Sequence, residues 1–199
     1  MPPLRREDLD ADPFEQFADW YDRALDEVPL CDAIALATVD EAGAPDGRMV
    51  LLKGHGLDGF RFFSNFESAK GRQLEEIPRA AIVIYWRELD RQVRARGRVE
   101  RLPGDASDAY FATRPRDSQL GAWASPQSEP IPEREALDER VRELERRFEG
   151  GDIPRPPHWG GYLLVPDTVE FWQGQVGRLH DRFLYTRKGE RWRIDRLAP

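Results

Sequence analysis

The stretch from Gln92 to Leu102 constrains the fold more than any other part of the chain. Val93, Ala95, Gly97 and Val99 alternate there with Arg94, Arg96, Arg98 and Glu100. A period of two sends successive side chains to opposite faces, so this is a strand with one dry face and one wet face. Strands of a parallel α/β sheet are buried on both faces and read as unbroken apolar runs, so an antiparallel sheet is implied. Partner strands are legible at Ala33 to Val39, Arg48 to Lys53, Gly59 to Phe63, Ala80 to Trp86, Tyr162 to Val165, Val169 to Trp172, Phe183 to Thr186 and Trp192 to Arg196. Leu57-Asp58-Gly59 and Lys188-Gly189 supply tight turns between neighbours.

Helices interrupt the strands. Asp12-Pro13 reads as N-cap and first helical residue. Phe14, Phe17, Ala18, Tyr21, Ala24, Leu25 and Val28 then follow at helical spacing. Short helices are predicted at Ser68 to Ile77, Asp105 to Thr113 and Asp117 to Ala124. A longer one runs from Glu133 to Phe148, with Leu137, Val141, Leu144 and Phe148 on one face. The expected fold is mainly β with α (α+β): an antiparallel barrel or strongly curved sheet with packed helices. We read residues 1–199 as a single domain, residues 1–12 as a flexible lead-in, and 160–199 as C-terminal strands carrying the sequence RLHDR.

Composition removes several function classes. The net charge of −7 speaks against nucleic-acid binding. No apolar run approaches the roughly 20 residues of a membrane span, and no secretory h-region is visible. One cysteine, Cys31, excludes an internal disulfide and fits a reducing, cytoplasmic setting. The three histidines, His55, His158 and His180, are far apart, which speaks against a zinc site. G-x-G-x-x-G after a strand, a Walker motif and a G-x-S-x-G elbow are all missing.

Three constellations can carry chemistry. In the first, Arg48 and Lys53 flank a strand near Ser64, Asn65, Ser68 and Lys70. Only Lys53, Lys70 and Lys188 are lysines among 30 basic residues. A single charge at a strand end is ordinarily just solvated. Lys70, however, lies near the start of a short helix, where free N–H groups favour an anion. The second is Tyr110-x3-Arg114-x3-Ser118, three donors suited to a second anionic group, with Pro115 interrupting the helix that would align them. The third joins Trp172 to Arg178-Leu179-His180-Asp181-Arg182, a dense polar corner beside Gly174 and Gly177. Trp172 is either core or a stacking platform for a flat ring.

The segments RMVLLK, SAKGRQ, DRQV, YFATRPRDSQLGAW, SPQS, HWGGYLLVPDTVEFWQG, RLHDRF and WRIDRLAP, in that order, carry a resemblance. From about Leu4 to Pro199 the chain resembles the pyridoxine/pyridoxamine 5′-phosphate oxidase family. That resemblance implies an FMN-binding split β-barrel homodimer with the flavin at the subunit interface. It implies oxidation of pyridoxamine 5′-phosphate or pyridoxine 5′-phosphate to pyridoxal 5′-phosphate, with O2 returning the flavin to its oxidised form and giving hydrogen peroxide. Carried over by motif, Arg48, Met49, Val50, Leu51, Leu52, Lys53, Phe63, Ser64, Lys70, Gln92, Gln127, Ser128, Trp172 and Arg182 are the FMN residues. Lys53, Tyr110, Arg114 and Ser118 take the substrate phosphate. Arg178 and His180 meet the pyridine ring as the catalytic pair, with no metal.

Two departures from the family pattern stand out. Ala69 replaces an Arg often found before the phosphate-binding Lys, and Arg72 is the nearest substitute. Many members also carry a longer N-terminal segment that folds over the substrate, so either weaker exclusion of water or a different substrate is expected here. Two rival functions remain at this level. One is a related flavin oxidase of phenazine biosynthesis, whose substrate needs no phosphate pocket. The other is a non-catalytic module that binds flavin or pyridoxal phosphate, against which RLHDR speaks.

Overall fold

A computed structural model describes residues 2–199. Helix α1 spans Pro13–Glu27 and is capped by Asp12, whose carboxylate accepts from the Phe14 N–H at 2.8 Å. Strands β1 (Ala33–Val39), β2 (Pro45–Gly56) and β3 (Gly59–Asn65) follow. Next come α2 (Ala69–Glu76), β4 (Arg79–Trp86) and β5 (Arg91–Arg101). Three helices, α3 (Gly104–Ala112), α4 (Arg116–Ala124) and α5 (Arg134–Arg147), precede β6 (Trp159–Gln173), β7 (Asp181–Lys188) and β8 (Arg191–Leu197).

All strand pairings are antiparallel, in the order β3-β2-β1-β4-β5-β6-β7-β8, and β3 also pairs with β6. That extra pairing closes β3-β2-β1-β4-β5-β6 into a six-stranded barrel, the antiparallel architecture expected from the alternation in β5. The seam is split along one strand. Residues 159–164 of β6 pair with β3, while residues 168–173 pair with β7.

The sequence suggests two strands at Tyr162 to Val165 and Val169 to Trp172; the structure has one. Pro166 cannot donate to a ladder, yet the strand continues because the register with β5 slips between Arg96 and Gly97. Gly97 permits the slip. A Cβ there would lie 2.0 Å from the Val165 carbonyl oxygen, so only glycine fits.

Helix α1 plugs the barrel. It buries Phe14, Phe17, Trp20 and Ala24, with Phe17 edge-on to Phe60 at 4.9 Å and Trp20 edge-on to Phe171 at 5.2 Å. Leu25, placed on this face from sequence, is instead exposed. Within residues 4–12 the chain touches the core at two points. Leu4 and Leu9 are buried, and the Tyr185 hydroxyl donates to the Asp10 carbonyl at 2.8 Å. Among the described residues no helix is long and apolar enough to cross a membrane.

Candidate functional site

A cleft of about 650 Å³ opens where β2, β3, α2, the α3–α4 junction and the start of β6 meet. Alternation along β2 sends Met49, Leu51 and Lys53 outward into it. Phe63 and Ser64 come from the end of β3, and Lys70 from the first turn of α2. Ser68 caps that helix: its hydroxyl accepts from the Gly71 N–H at 3.3 Å and donates to the Asn65 carbonyl at 2.7 Å. The Lys70 ammonium donates to Ser68 Oγ at 3.1 Å and to Gln127 Oε1 at 3.0 Å. Lys70 is only 7% exposed and has no carboxylate partner among the described residues. Burial, then the nearby Arg48 charge, pull its pKa down to about 8, with Asp46 opposing.

Across the cleft, Tyr110, Arg114 and Ser118 face inward together, although Pro115 does break the helix into α3 and α4. The Arg114 guanidinium lies 4.7 Å over Trp159 and 5.4 Å from Phe111. Its Nη1 is buried with no hydrogen-bond partner among the described residues. Burial pulls the pKa of this group down, with Tyr110 opposing. A buried donor left unpaired costs about 1–3 kcal/mol, so the site is built for an acceptor. Phe63 stacks on Tyr110 at 3.9 Å and parallels Trp159 at 5.5 Å, making an aromatic wall against the guanidinium. Two unpaired cations, each with a hydroxyl nearby, thus share one cleft with flat apolar walls.

Not every residue read from sequence lines this cleft. Met49, Val50, Leu51, Lys53, Phe63, Ser64, Lys70, Tyr110, Arg114, Ser118 and Gln127 do. Leu52 is turned into the barrel core. Arg48 is tied back to Asp46, to Thr38 Oγ1 at 2.5 Å and to Gln73 Oε1 at 3.1 Å. Ser128, next to Gln127, has a left-handed backbone and does not line the cleft. Arg72 does not stand in for the missing charge at Ala69: it donates to Glu129 at 2.9 Å and to the Glu67 carbonyl. Thr113, Ser125 and Trp159 were missed. Only Trp159 left a trace in the sequence, an aromatic directly before Gly160-Gly161.

Gln92, Trp172, Arg178, His180 and Arg182 form a separate corner. Gln92 sits opposite both Tyr85 and Trp172 across neighbouring strands. The His180 ring is 4.6 Å from that of Trp172, and its Nδ1 accepts from the Gln175 N–H at 3.1 Å. A neutral His180 therefore carries its proton on Nε2. Arg182 donates to Glu170 Oε1 at 2.8 Å, and Arg94 reaches the same carboxylate. Burial pushes the Glu170 carboxyl up, but these two guanidinium contacts outweigh it and hold the pKa below its ordinary value. Arg178 has φ +63° directly after Gly177 at φ +71°, and it makes no hydrogen bond among the described residues. Its neighbours Val176 and Leu179 are 95% and 72% exposed. Asp181 anchors the corner from beneath, accepting from the Leu4 N–H and from Gln175 Nε2, each at 2.9 Å.

Distance separates the cleft from the corner. Trp159 in the cleft and Trp172 in the corner stand thirteen positions apart on β6. At about 3.3 Å per residue that strand spans roughly 40 Å, far more than two stacked rings can bridge. Between them the outer face of the sheet is apolar and open: Met49, Leu51 and Tyr85 are 63%, 45% and 54% exposed, beside Ala35 and Val83.

The fold is thus a six-stranded antiparallel split barrel with three cations, Lys53, Lys70 and Arg114, lining a cleft on its rim. A family model described as "Pyridoxamine 5′-phosphate oxidase" matches residues 22–147, and one described as "Pyridoxine 5′-phosphate oxidase C-terminal dimerisation region" matches residues 159–199. The chain belongs to the pyridoxine/pyridoxamine 5′-phosphate oxidase family. It is 54% identical to the pyridoxine/pyridoxamine 5′-phosphate oxidase of Burkholderia thailandensis, over 96% of this chain and 91% of that one. Identity to the protein of the same name from Rubrobacter xylanophilus is 52%, over 98% and 91%. Among solved structures, PhzG from Burkholderia lata in complex with tetrahydrophenazine-1-carboxylic acid aligns with a TM-score of 0.93 and 31% identity, covering 100% of this chain and 99% of that one. A pyridoxamine 5′-phosphate oxidase-related, FMN-binding protein from Nostoc punctiforme shares the fold, with a TM-score of 0.75 at 21% identity over 94% of this chain and 97% of that one.

Proposed function

We propose that this protein is an FMN-dependent oxidase that converts pyridoxamine 5′-phosphate or pyridoxine 5′-phosphate to pyridoxal 5′-phosphate. One observation carries the reading: Lys70, a buried cation, and Arg114, a half-buried one whose Nη1 is buried, line the same cleft from opposite sides, and neither has a counter-ion among the described residues. Each would grip one phosphoester, and the apolar walls between them would accommodate the two flat rings. Lys70, Ser64 and Gln127 hold the flavin phosphate, and Met49, Val50, Leu51 and Phe63 border the flavin. Arg48, Leu52 and Ser128 support that border from behind. Arg114, Tyr110, Ser118 and Lys53 hold the substrate phosphate. FMN, when bound, supplies the acceptor for the hydride leaving the substrate C4′ carbon and passes the electrons on to O2.

The protein acts as a homodimer. The apolar face around Met49, Leu51, Val83 and Tyr85 supports burial against a second copy, as does the match to a dimerisation region. Dimerisation brings Arg178 and His180 of one copy to the cleft of the other, with Gln92, Trp172 and Arg182 beside the flavin. His180 then presents Nε2–H to the substrate, and Arg178 adds positive charge near its ring. The protein works in the cytoplasm, a reading supported by its free Cys31.

The similarity to PhzG supports a second reading, oxidation of a tricyclic carboxylic acid. The Tyr110-Arg114-Ser118 grip favours a phosphorylated substrate, as does the higher identity to the vitamin B6 oxidases. Anaerobic mixing with pyridoxamine 5′-phosphate decides the matter. Bleaching of bound flavin, followed by peroxide release on adding air, is the expected result. Flavin that binds but is bleached by neither pyridoxamine nor pyridoxine 5′-phosphate overturns the proposal.

A further inference from the structure

Three cations line the cleft, and they are not equivalent. Lys70 donates only to neutral oxygens, and Arg114 leaves a buried nitrogen unpaired. The Lys53 ammonium already has an anion, donating to Asp32 Oδ2 at 2.6 Å. The two side chains are 28% and 22% exposed, neither free in solvent nor sealed from it. Asp32 stands immediately before β1, and its carbonyl accepts from the Leu52 N–H at 2.8 Å. The backbones bearing carboxylate and ammonium are thereby locked side by side. The Asp32 charge is also felt at Tyr21, whose phenol is pushed up to about 12 by burial first, then by Cys31 and Asp32.

We infer that Asp32 is a positioning residue that acts through Lys53. It is a built-in counter-ion that holds the ammonium at the cleft in the unliganded protein and competes with the substrate phosphate for it. This inference rests on the cleft being a phosphoester site, as proposed above. An incoming dianion meets an ammonium already satisfied and a carboxylate of its own sign. The reaction leaves the phosphate untouched, so substrate and product are gripped by the same group. Binding that is equal before and after chemistry does not speed the chemistry, and excess grip only delays release. Asp32 trims that grip at the one cation of the three that can be trimmed without burying a charge alone.

The test is calorimetric titration of the flavin-loaded, full-length protein with inorganic phosphate, which reads the second anion site while flavin fills the first. Asp32→Asn is expected to bind phosphate roughly fivefold more tightly, near the upper end of what a partly exposed ion pair contributes. Lys53→Met is expected to weaken binding. Adding Asp32→Asn to Lys53→Met is expected to tighten binding clearly less than Asp32→Asn does in the parent, because only like-charge repulsion, and no ammonium, remains to be released. Structural damage loosens a site, so tightening cannot come from a merely structural role; Asp32→Ser serves if the Asn variant does not fold. Unchanged or weaker binding in both Asp32 variants, with normal binding by the parent, overturns this inference alone. Absence of phosphate binding by the parent overturns the phosphoester reading along with it.

Discussion

The cleft and the Arg178–His180 corner are built on opposite principles. The cleft is over-determined within one chain: Lys70 is buried among fixed acceptors, and Arg114 is clamped against stacked Phe63, Tyr110 and Trp159. The corner is held only at its base, by Asp181 and the Gln175 N–H, and its tip rises through two consecutive left-handed residues into solvent. A non-glycine residue in that conformation is uncommon and is retained where its surroundings or its function demand it. The difference teaches where preorganisation resides. The cleft cations are fixed by packing within one chain, whereas in the proposed function the corner groups reach the substrate only from a second copy.

Complementation between variants gives the largest expected effect. Arg114→Ala and Arg178→Ala homodimers should each be nearly inactive. Mixed, unfolded and refolded together, they should recover roughly a quarter of parent turnover, because random pairing makes half the dimers mixed and each mixed dimer has one intact site. Peroxide release that stays at the single-variant level would place cleft and corner in the same chain and break the comparison. Next in size, Arg178→Ala should slow single-turnover bleaching of the flavin about a hundredfold or more while leaving phosphate affinity and flavin content unchanged. Arg114→Ala should do the reverse, weakening phosphate binding roughly tenfold to hundredfold, the range of lost charge-assisted hydrogen bonds.

A smaller effect follows from Lys70. Its pKa near 8 in the flavin-free protein means that FMN affinity should be flat from about pH 7, where the flavin phosphate is ionised, up to that pH. Above it, affinity should fall up to tenfold per unit, because binding must then take up a proton. Stability of the flavin-free protein should move the other way. The unfolded chain holds this proton up to the ordinary lysine pKa, so stability rises between about 8 and 10.5. Fluorescence titration of FMN from pH 7 to 9.5 checks the first and thermal melts the second; an FMN affinity independent of pH would remove Lys70 from the phosphate. The smallest expected change is at Arg72. Since Arg72 is paired with Glu129, Arg72→Ala should shift FMN affinity by less than about twofold. Ala69→Arg, by contrast, should tighten it roughly tenfold.

How much of this was visible in the sequence follows from which forces act locally. Alternation in β5, the Asp12-Pro13 cap and the Gly189 hairpin are short-range signals, and each appears in the structure where it was read. The continuity of β6 through Pro166 was not visible, because it depends on a register slip beside a glycine that lies in another strand. The donors at Tyr110, Arg114 and Ser118 were legible as residue types at steps of four. That they face one way past Pro115 is a fact of packing against Trp159. Charge pairing was the least legible. Nothing local in the sequence indicates that Arg48 is tied to Asp46 and Gln73, that Arg72 faces Glu129, or that Lys53 meets Asp32.

The divided strand β6 has a further consequence. Its first half closes the container against β3, and its second half carries the outward hairpin β7–β8. The backbone closure of the barrel therefore does not run through the hairpin, although Phe183 and Tyr185 of the hairpin are themselves buried in the core. In the proposed homodimer, exposed positions around Arg178 at the tip can vary in what they offer the partner while β3 still closes against the first half of β6. That division of one strand between wall and hairpin keeps the closure of the barrel and the exposed tip on separate stretches of backbone.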